Sequence, residues 1–233
     1  VADACSCSSE EIDNIFANAF KSHKYIELIK EGAILQAVAM YKEETGCSLK
    51  EAKDYIDNLK EDLEANKLSA KEAYDIAINY YYGQNNKEQS YSRAVKYFTI
   101  SSNKGYSYAQ GFLGYCYECE LGVKKDYVEA AKWYRKAAEQ NYNYAQCNLG
   151  FFYETGKGVE KNPTEAVKWY RKAAEQGVAQ AQYNLGVCYS NGKGVEQSFY
   201  EATKWYRKAA EQGLAAAQHD LGYCYYFGQG VSE

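Results

Sequence analysis

The sequence is short of several things that other kinds of protein need. It has 1 Pro in 233 residues, so almost nothing interrupts a helix. Histidine is nearly missing: His23 and His219 are the 2 present, and they stand far apart in the chain. A Ser/His/Asp or Cys/His site needs a histidine with a positioned partner, and neither histidine comes with a recognisable motif. No apolar run approaches the roughly 18 residues of a membrane-crossing helix. An excess of positive charge is also lacking. Residues 1–70 carry 8 Lys/Arg against 14 Asp/Glu, residues 71–233 carry 19 against 17, and the net charge is −4. That balance gives no cationic surface for a phosphate backbone, so nucleic acid is not an expected partner. The single Asn-x-Ser/Thr triplet, Asn162-Pro163-Thr164, is disqualified as a glycosylation acceptor by its proline. The chain opens on Val1 rather than Met. Ala4-Cys5 is the only hint of a lipoprotein cleavage site, and Asp3 fits it poorly.

What the sequence does have is tyrosine, 26 of them, and a repeat. Trp133, Trp169 and Trp205 are 36 residues apart, each inside Lys-Trp-Tyr-Arg-Lys-Ala-Ala-Glu-Gln. Ala-Gln recurs at Ala109-Gln110, Ala145-Gln146, Ala181-Gln182 and Ala217-Gln218. Leu-Gly follows at Leu113-Gly114, Leu149-Gly150, Leu185-Gly186 and Leu221-Gly222, and then Tyr117, Tyr153, Tyr189 and Tyr225. A worn copy precedes them in Ala73, Tyr81, Ala94, Tyr97, Phe98 and Gly105. The count is four full repeats and the first half of a fifth.

Each repeat reads as two helices. Ala145, Leu149, Gly150 and Tyr153 fall at offsets 0, 4, 5 and 8, one face of a helix. Gly156-Lys157-Gly158-Val159 and Gly192-Lys193-Gly194-Val195 end that helix, the first glycine supplying a left-handed residue. Asp126, Asn162 and Ser198 are N-caps of the second helix, with Glu129, Glu165 and Glu201 three residues later in a capping-box pattern. Pro163 takes the first helical position, where its missing N–H costs nothing. Predicted helix pairs span 71–105, 107–141, 143–177 and 179–213, with no strand among them.

Ala-x-x-x-Leu-Gly-x-x-Tyr-x-x-Gly-x-Gly-Val followed by Ala-x-x-Trp-Tyr-x-x-Ala-Ala-x-x-Gly resembles the Sel1-like repeat family of the tetratricopeptide superfamily. The likeness covers about residues 71–233. It implies an all-α fold, a right-handed solenoid of antiparallel helix pairs, and an adaptor or scaffold role. Departures are Ala77-Ile78 for Leu-Gly in repeat one, Glu120 for the first loop glycine in repeat two, and Asn141 at that repeat's end.

Residues 1–70 form a separate helical region. Ser8 with Glu11 opens a helix to about Phe20, and Ser22 caps a second that Gly32 breaks. A third runs from Ala33 to Glu44, and Ser48-Leu49-Lys50-Glu51 opens a fourth to about Asn66. Ser69-Ala70-Lys71-Glu72 then opens repeat one. The stretch from Tyr41 to Ile56 resembles the helical hairpin of the bacterial ribosomal stalk protein's C-terminal domain. Without the strands such a domain needs, it is expected to cap the solenoid as terminal repeats require, not to bind a ribosomal ligand.

The 8 cysteines do not form a regular framework. Cys116-Tyr117-Glu118-Cys119 has no second pair at zinc spacing, so no metal and no cofactor are expected. Cys116, Cys188 and Cys224 share one column with Phe152, which marks an apolar packing slot. Neighbouring helix axes stand about 8–10 Å apart, too far for a disulfide between Cys188 and Cys224. Secreted members of the resembled family pair cysteines within each repeat, and that pairing is missing here. A reducing compartment, the cytoplasm, is the expectation, with a periplasmic or secreted location as the alternative. The Gly-Lys-Gly loops lack phosphate-loop spacing. In the Lys-Trp-Tyr-Arg-Lys clusters the tryptophan is expected to pack and the cations to be solvated.

The expected function is non-catalytic: an adaptor binding a protein or peptide along the concave groove. The alternative is a secreted or cell-envelope repeat protein recognising a host or cell-wall ligand; an enzyme with an unrecognised site is the third reading. Offsets 2, 3 and 6 of each first helix are left to face the groove. Offset 6 gives Tyr115, Phe151, Val187 and Tyr223; offset 3 gives Phe112, Asn148, Asn184 and Asp220; offset 2 gives Gly111, Cys147, Tyr183 and His219. The groove residues chosen are Tyr115, Phe151, Tyr223, Asn148, Asn184, Tyr183 and His219. A competing role for Asn148 and Asn184 is to tie adjacent repeats. The apolar face of residues 215–227 lacks a second helix and is expected to promote self-association.

Overall fold

The computed structural model describes residues 24–230. Every regular element among the described residues is a helix. The chain divides into two compact units between Leu68 and Ser69. The predicted helix over 8–20 and the cap at Ser22 lie outside the described residues, as do Cys5, Cys7 and His23.

In the first unit, α1 covers residues 24–30, α2 runs Ile34–Thr45 and α3 runs Leu49–Lys67. Gly46 ends α2 with φ 68°, a left-handed residue that glycine adopts without strain. Two residues on, the predicted capping box is complete. Ser48 Oγ accepts from the Glu51 N–H at 3.2 Å, and the Glu51 carboxylate accepts from the Ser48 N–H at 2.8 Å. The three helices close on Tyr25, Ile29, Ala37, Val38, Ala52 and Ile56. Tyr41 and Tyr55 stack across the hairpin with ring centroids 4.0 Å apart.

In the second unit the first helices are α4 (Ala70–Tyr82), α6 (Ser107–Cys119), α8 (Asn143–Thr155), α10 (Ala179–Asn191) and α12 (Ala215–Tyr226). The second helices are α5 (Tyr91–Asn103), α7 (Tyr127–Glu139), α9 (Pro163–Glu175) and α11 (Phe199–Glu211). Consecutive helices pack on one another, the topology of a helical solenoid.

Three devices repeat along it. The offset-5 glycine receives the motif tyrosine of the next second helix: a Cβ on Gly114, Gly150 or Gly186 would lie 2.6–2.8 Å from a ring carbon of Tyr134, Tyr170 or Tyr206. Real carbon contacts stand about 3.5–4.0 Å apart, so only glycine admits the ring. A buried glutamine ladder comes next. Gln110, Gln146 and Gln182 each donate to a carbonyl of the preceding second helix, at Ser102, Ala138 and Ala174. Each accepts in turn from Gln140, Gln176 and Gln212 of its own repeat, at 2.7–2.8 Å. Buried amides left without partners would cost about 1–3 kcal/mol each, so the ladder is strict. Lastly, the second loop glycine lays its backbone on the preceding repeat: a Cβ on Gly158 would meet the Tyr127 carbonyl oxygen at 1.9 Å.

The boxes predicted for the later second helices are only half formed. Asp126, Asn162 and Ser198 accept from the backbone N–H groups of Glu129, Glu165 and Glu201. Their own N–H groups already donate to the carbonyls of Tyr117, Tyr153 and Tyr189 in the helix before. The glutamates therefore turn outward and pair with Lys132, Lys168 and Lys204. Nor are the motif cations merely solvated, as the sequence suggested. Lys136, Lys172 and Lys208 lie 4.1–4.3 Å over the rings of Trp133, Trp169 and Trp205. Arg135, Arg171 and Arg207 donate to the hydroxyls of Tyr153, Tyr189 and Tyr225.

The candidate interaction surface

Packing uses up offsets 0, 4 and 7 of the first helices: Ala109, Leu113 and Cys116, with their counterparts Ala145, Leu149 and Phe152, are buried. The column shared by Cys116, Phe152, Cys188 and Cys224 is buried throughout, and the described cysteines are unpaired. Burial pushes the thiols of Cys116, Cys147 and Cys188 up to about 12, so they stay neutral.

Offset 6 differs. Tyr115, Phe151 and Tyr223 are 41%, 37% and 52% exposed. Lys157 reaches over the Phe151 ring at 4.9 Å. Offset 2 departs from expectation in part: Gly111 and Cys147 are buried, not facing the groove. The cover comes from the next repeat. The Tyr142 ring sets its edge against Gly111, and Cys147 shares a core cluster with Val178. Farther along the column, Tyr183 is half-buried and donates to Asp220 at 3.1 Å, while His219 is exposed with Nδ1 2.9 Å from Asp220.

Five of the seven predicted residues fall into two clefts. Tyr115 and Asn148 line one of about 320 Å³, with Tyr81, Tyr82, Tyr142 and Tyr144. Tyr183, His219 and Tyr223 line another of about 380 Å³, with Ser190, Tyr206 and Asp220. Phe151 and Asn184 belong to neither; the Asn184 carboxamide accepts from Gln180 of its own helix. Asn148 stands in the same cleft lining as Tyr134 of the preceding second helix, whose hydroxyl donates to Glu118 at 2.8 Å. Burial and the Glu118 carboxylate raise that hydroxyl far above the ordinary tyrosine value.

The model of the Sel1 repeat matches residues 73–106, 107–142, 143–178, 179–214 and 215–233, in register with the helix pairs. The chain belongs to the Sel1 repeat family. Solved structures agree. Among them is c5321, described as a protective antigen of uropathogenic Escherichia coli strains with an SLR fold. It is 33% identical over 91% of this chain and 45% of its own, with a TM-score of 0.68. A Sel1 repeat protein from Oxalobacter formigenes is 36% identical over 70% of this chain and 66% of its own, with a TM-score of 0.65. This chain thus spans less than half of the first of these relatives. A search of curated proteins gives no match. As a family, Sel1 repeats mediate protein–protein interaction.

The sequence missed the tyrosines around the first cleft, Tyr81, Tyr82, Tyr142 and Tyr144. A signal was there: repeat four has Val178 where repeat three has Tyr142, and Gln180 where it has Tyr144.

Proposed function

We propose that this chain is a non-catalytic interaction module that holds a peptide or protein partner against its first helices. The supporting observation is the offset-6 column. It is apolar along most of its length and open, while the neighbouring apolar columns of the same helices are buried. Aromatic rings in clefts beside carboxamides are the chemistry of interface anchors. We further place the protein in a reducing compartment, because its buried thiols occupy packing positions.

The test is a peptide selected from a random display library on the wild-type chain, then measured against Tyr115→Ala/Phe151→Ala/Tyr223→Ala. Loss of binding by about tenfold or more, with an unchanged helical signal, supports the reading. Undiminished binding places the surface elsewhere.

A further inference from the structure

Repeats built on one plan serve as internal controls. Where they differ without a packing reason, the difference was not made for the fold. The N-cap column of the first helices reads Tyr106, Tyr142, Val178, Leu214, so an aliphatic side chain suffices there. Two residues later come Tyr108, Tyr144, Gln180 and Ala216, so no ring is needed. Yet Tyr108 and Tyr144 are present, 49% and 61% exposed. Their rings continue a chain from Tyr74. Centroids are 5.0 Å from Tyr74 to Tyr106, 5.5 Å to Tyr108, 4.8 Å to Tyr142 and 6.0 Å to Tyr144, all tilted by 34–59°. Tilted rings keep open faces that parallel stacking would cover. Gly111 is part of the same construction: a Cβ there would lie 2.4 Å from the Tyr142 ring, so the glycine lets that ring form the cleft floor. No side chain lining this cleft is charged.

We propose that the tyrosine cleft of repeats one to three binds a proline-rich segment of a partner in the polyproline II conformation. This rests on the reading of the first-helix face as a peptide site and names the partner's chemistry. A polyproline II strand has no internal hydrogen bonds; its carbonyls point outward and need donors. The hydroxyls of Tyr82, Tyr142 and Tyr144 in the lining supply them, and the exposed Tyr108, whose ring packs on Tyr142 at the cleft's edge, adds a fourth; none of the four is hydrogen-bonded among the described residues. Pyrrolidine rings pack on tyrosine faces, carry no charge, and match an uncharged lining. The segment is already extended before binding, so little conformational entropy is lost. A sugar would also stack on tyrosine, but its many hydroxyls call for carboxylates and amides; the lining offers one carboxamide, Asn148, and no carboxylate.

The experiment is fluorescence anisotropy of a fluorescein-labelled decaproline titrated with the full chain. Saturable binding is expected. It should weaken about tenfold or more in Tyr108→Gln/Tyr144→Gln, which installs the side chain repeat four carries at position 180. Tyr82→Ala, at an exposed residue on the opposite wall, should weaken it as well, both variants keeping the wild-type helical signal. Equal affinity in wild type and variants overturns the proposal, as does binding of chitotetraose in place of decaproline. If decaproline fails while a selected proline-free peptide binds, the peptide site stands and this inference falls. If no peptide binds, both fall.

Discussion

Replacing Gly150 with Ala probes the contact that joins first and second helices. Glycine inside a helix is worse than alanine by about 1 kcal/mol, so propensity alone makes the change stabilising. The new Cβ, however, lies 2.6 Å from a ring carbon of Tyr170. Relief to about 3.5 Å requires the ring to shift by about 1 Å. Tyr170 cannot shift freely: it is fully buried, and its hydroxyl donates to Glu154 at 2.7 Å. Overpacking of this kind costs about 1–3 kcal/mol, and weakening a charge-assisted hydrogen bond adds about 1 kcal/mol. The net is a loss of roughly 1–3 kcal/mol, or a fall in Tm of about 3–10 °C. Gly222 holds the same repeat position in α12, and a Cβ there meets nothing within 4 Å. Gly222→Ala should therefore be neutral or stabilising by up to about 1 kcal/mol. Urea and thermal melts followed by far-UV circular dichroism compare the two. Equal effects at both positions, or a neutral Gly150→Ala, would refute the packing account.

Four further outcomes follow from the same geometry. Glu120 ends α6 in the left-handed region with φ 60°, so Glu120→Gly should raise the urea midpoint, by about 1 kcal/mol of stability; a lowered midpoint contradicts this. Gln146→Leu breaks the buried ladder and should cost about 1–3 kcal/mol, whereas Gln218→Leu, where Gln218 is exposed and bonded only to the Ala210 carbonyl, should cost under about 1 kcal/mol. Burial raises Cys116, Cys147 and Cys188 to about 12 and also raises the hydroxyls of Tyr81, Tyr134, Tyr170 and Tyr206. Because the folded state favours their neutral forms, their contribution is complete below the unfolded values, about 8.5 for Cys and 10 for Tyr, and is lost as pH rises toward the folded ones. The urea midpoint should stay level to about pH 8.5 and decline toward pH 12. A thiol reagent at pH 8 should label exposed Cys119 in the native protein but Cys116, Cys147 and Cys188 only after unfolding.

The helix pairs were legible because each repeat restates the same constraints. A glycine at offset 5, a leucine before it and a capping residue after the loop each recur, and no tertiary knowledge is needed to align them. What stayed hidden depends on a neighbour's side chain. Offset 2 looked open from its own helix, but Tyr142 covers Gly111 from the next repeat. The glutamates of the expected capping boxes were displaced because Tyr117, Tyr153 and Tyr189 carbonyls had already taken the N-cap protons. The tyrosine cleft draws on four helices, so no single helical period reports it.

The claim that the first helices carry the partner is tested most directly by hydrogen–deuterium exchange, with and without a bound selected peptide. The account predicts slowed exchange in residues 107–119 and 143–155, the span of α6 and α8, with α7 and α9 unchanged. Protection confined to α7, α9 and α11, or to residues 34–67, would contradict it.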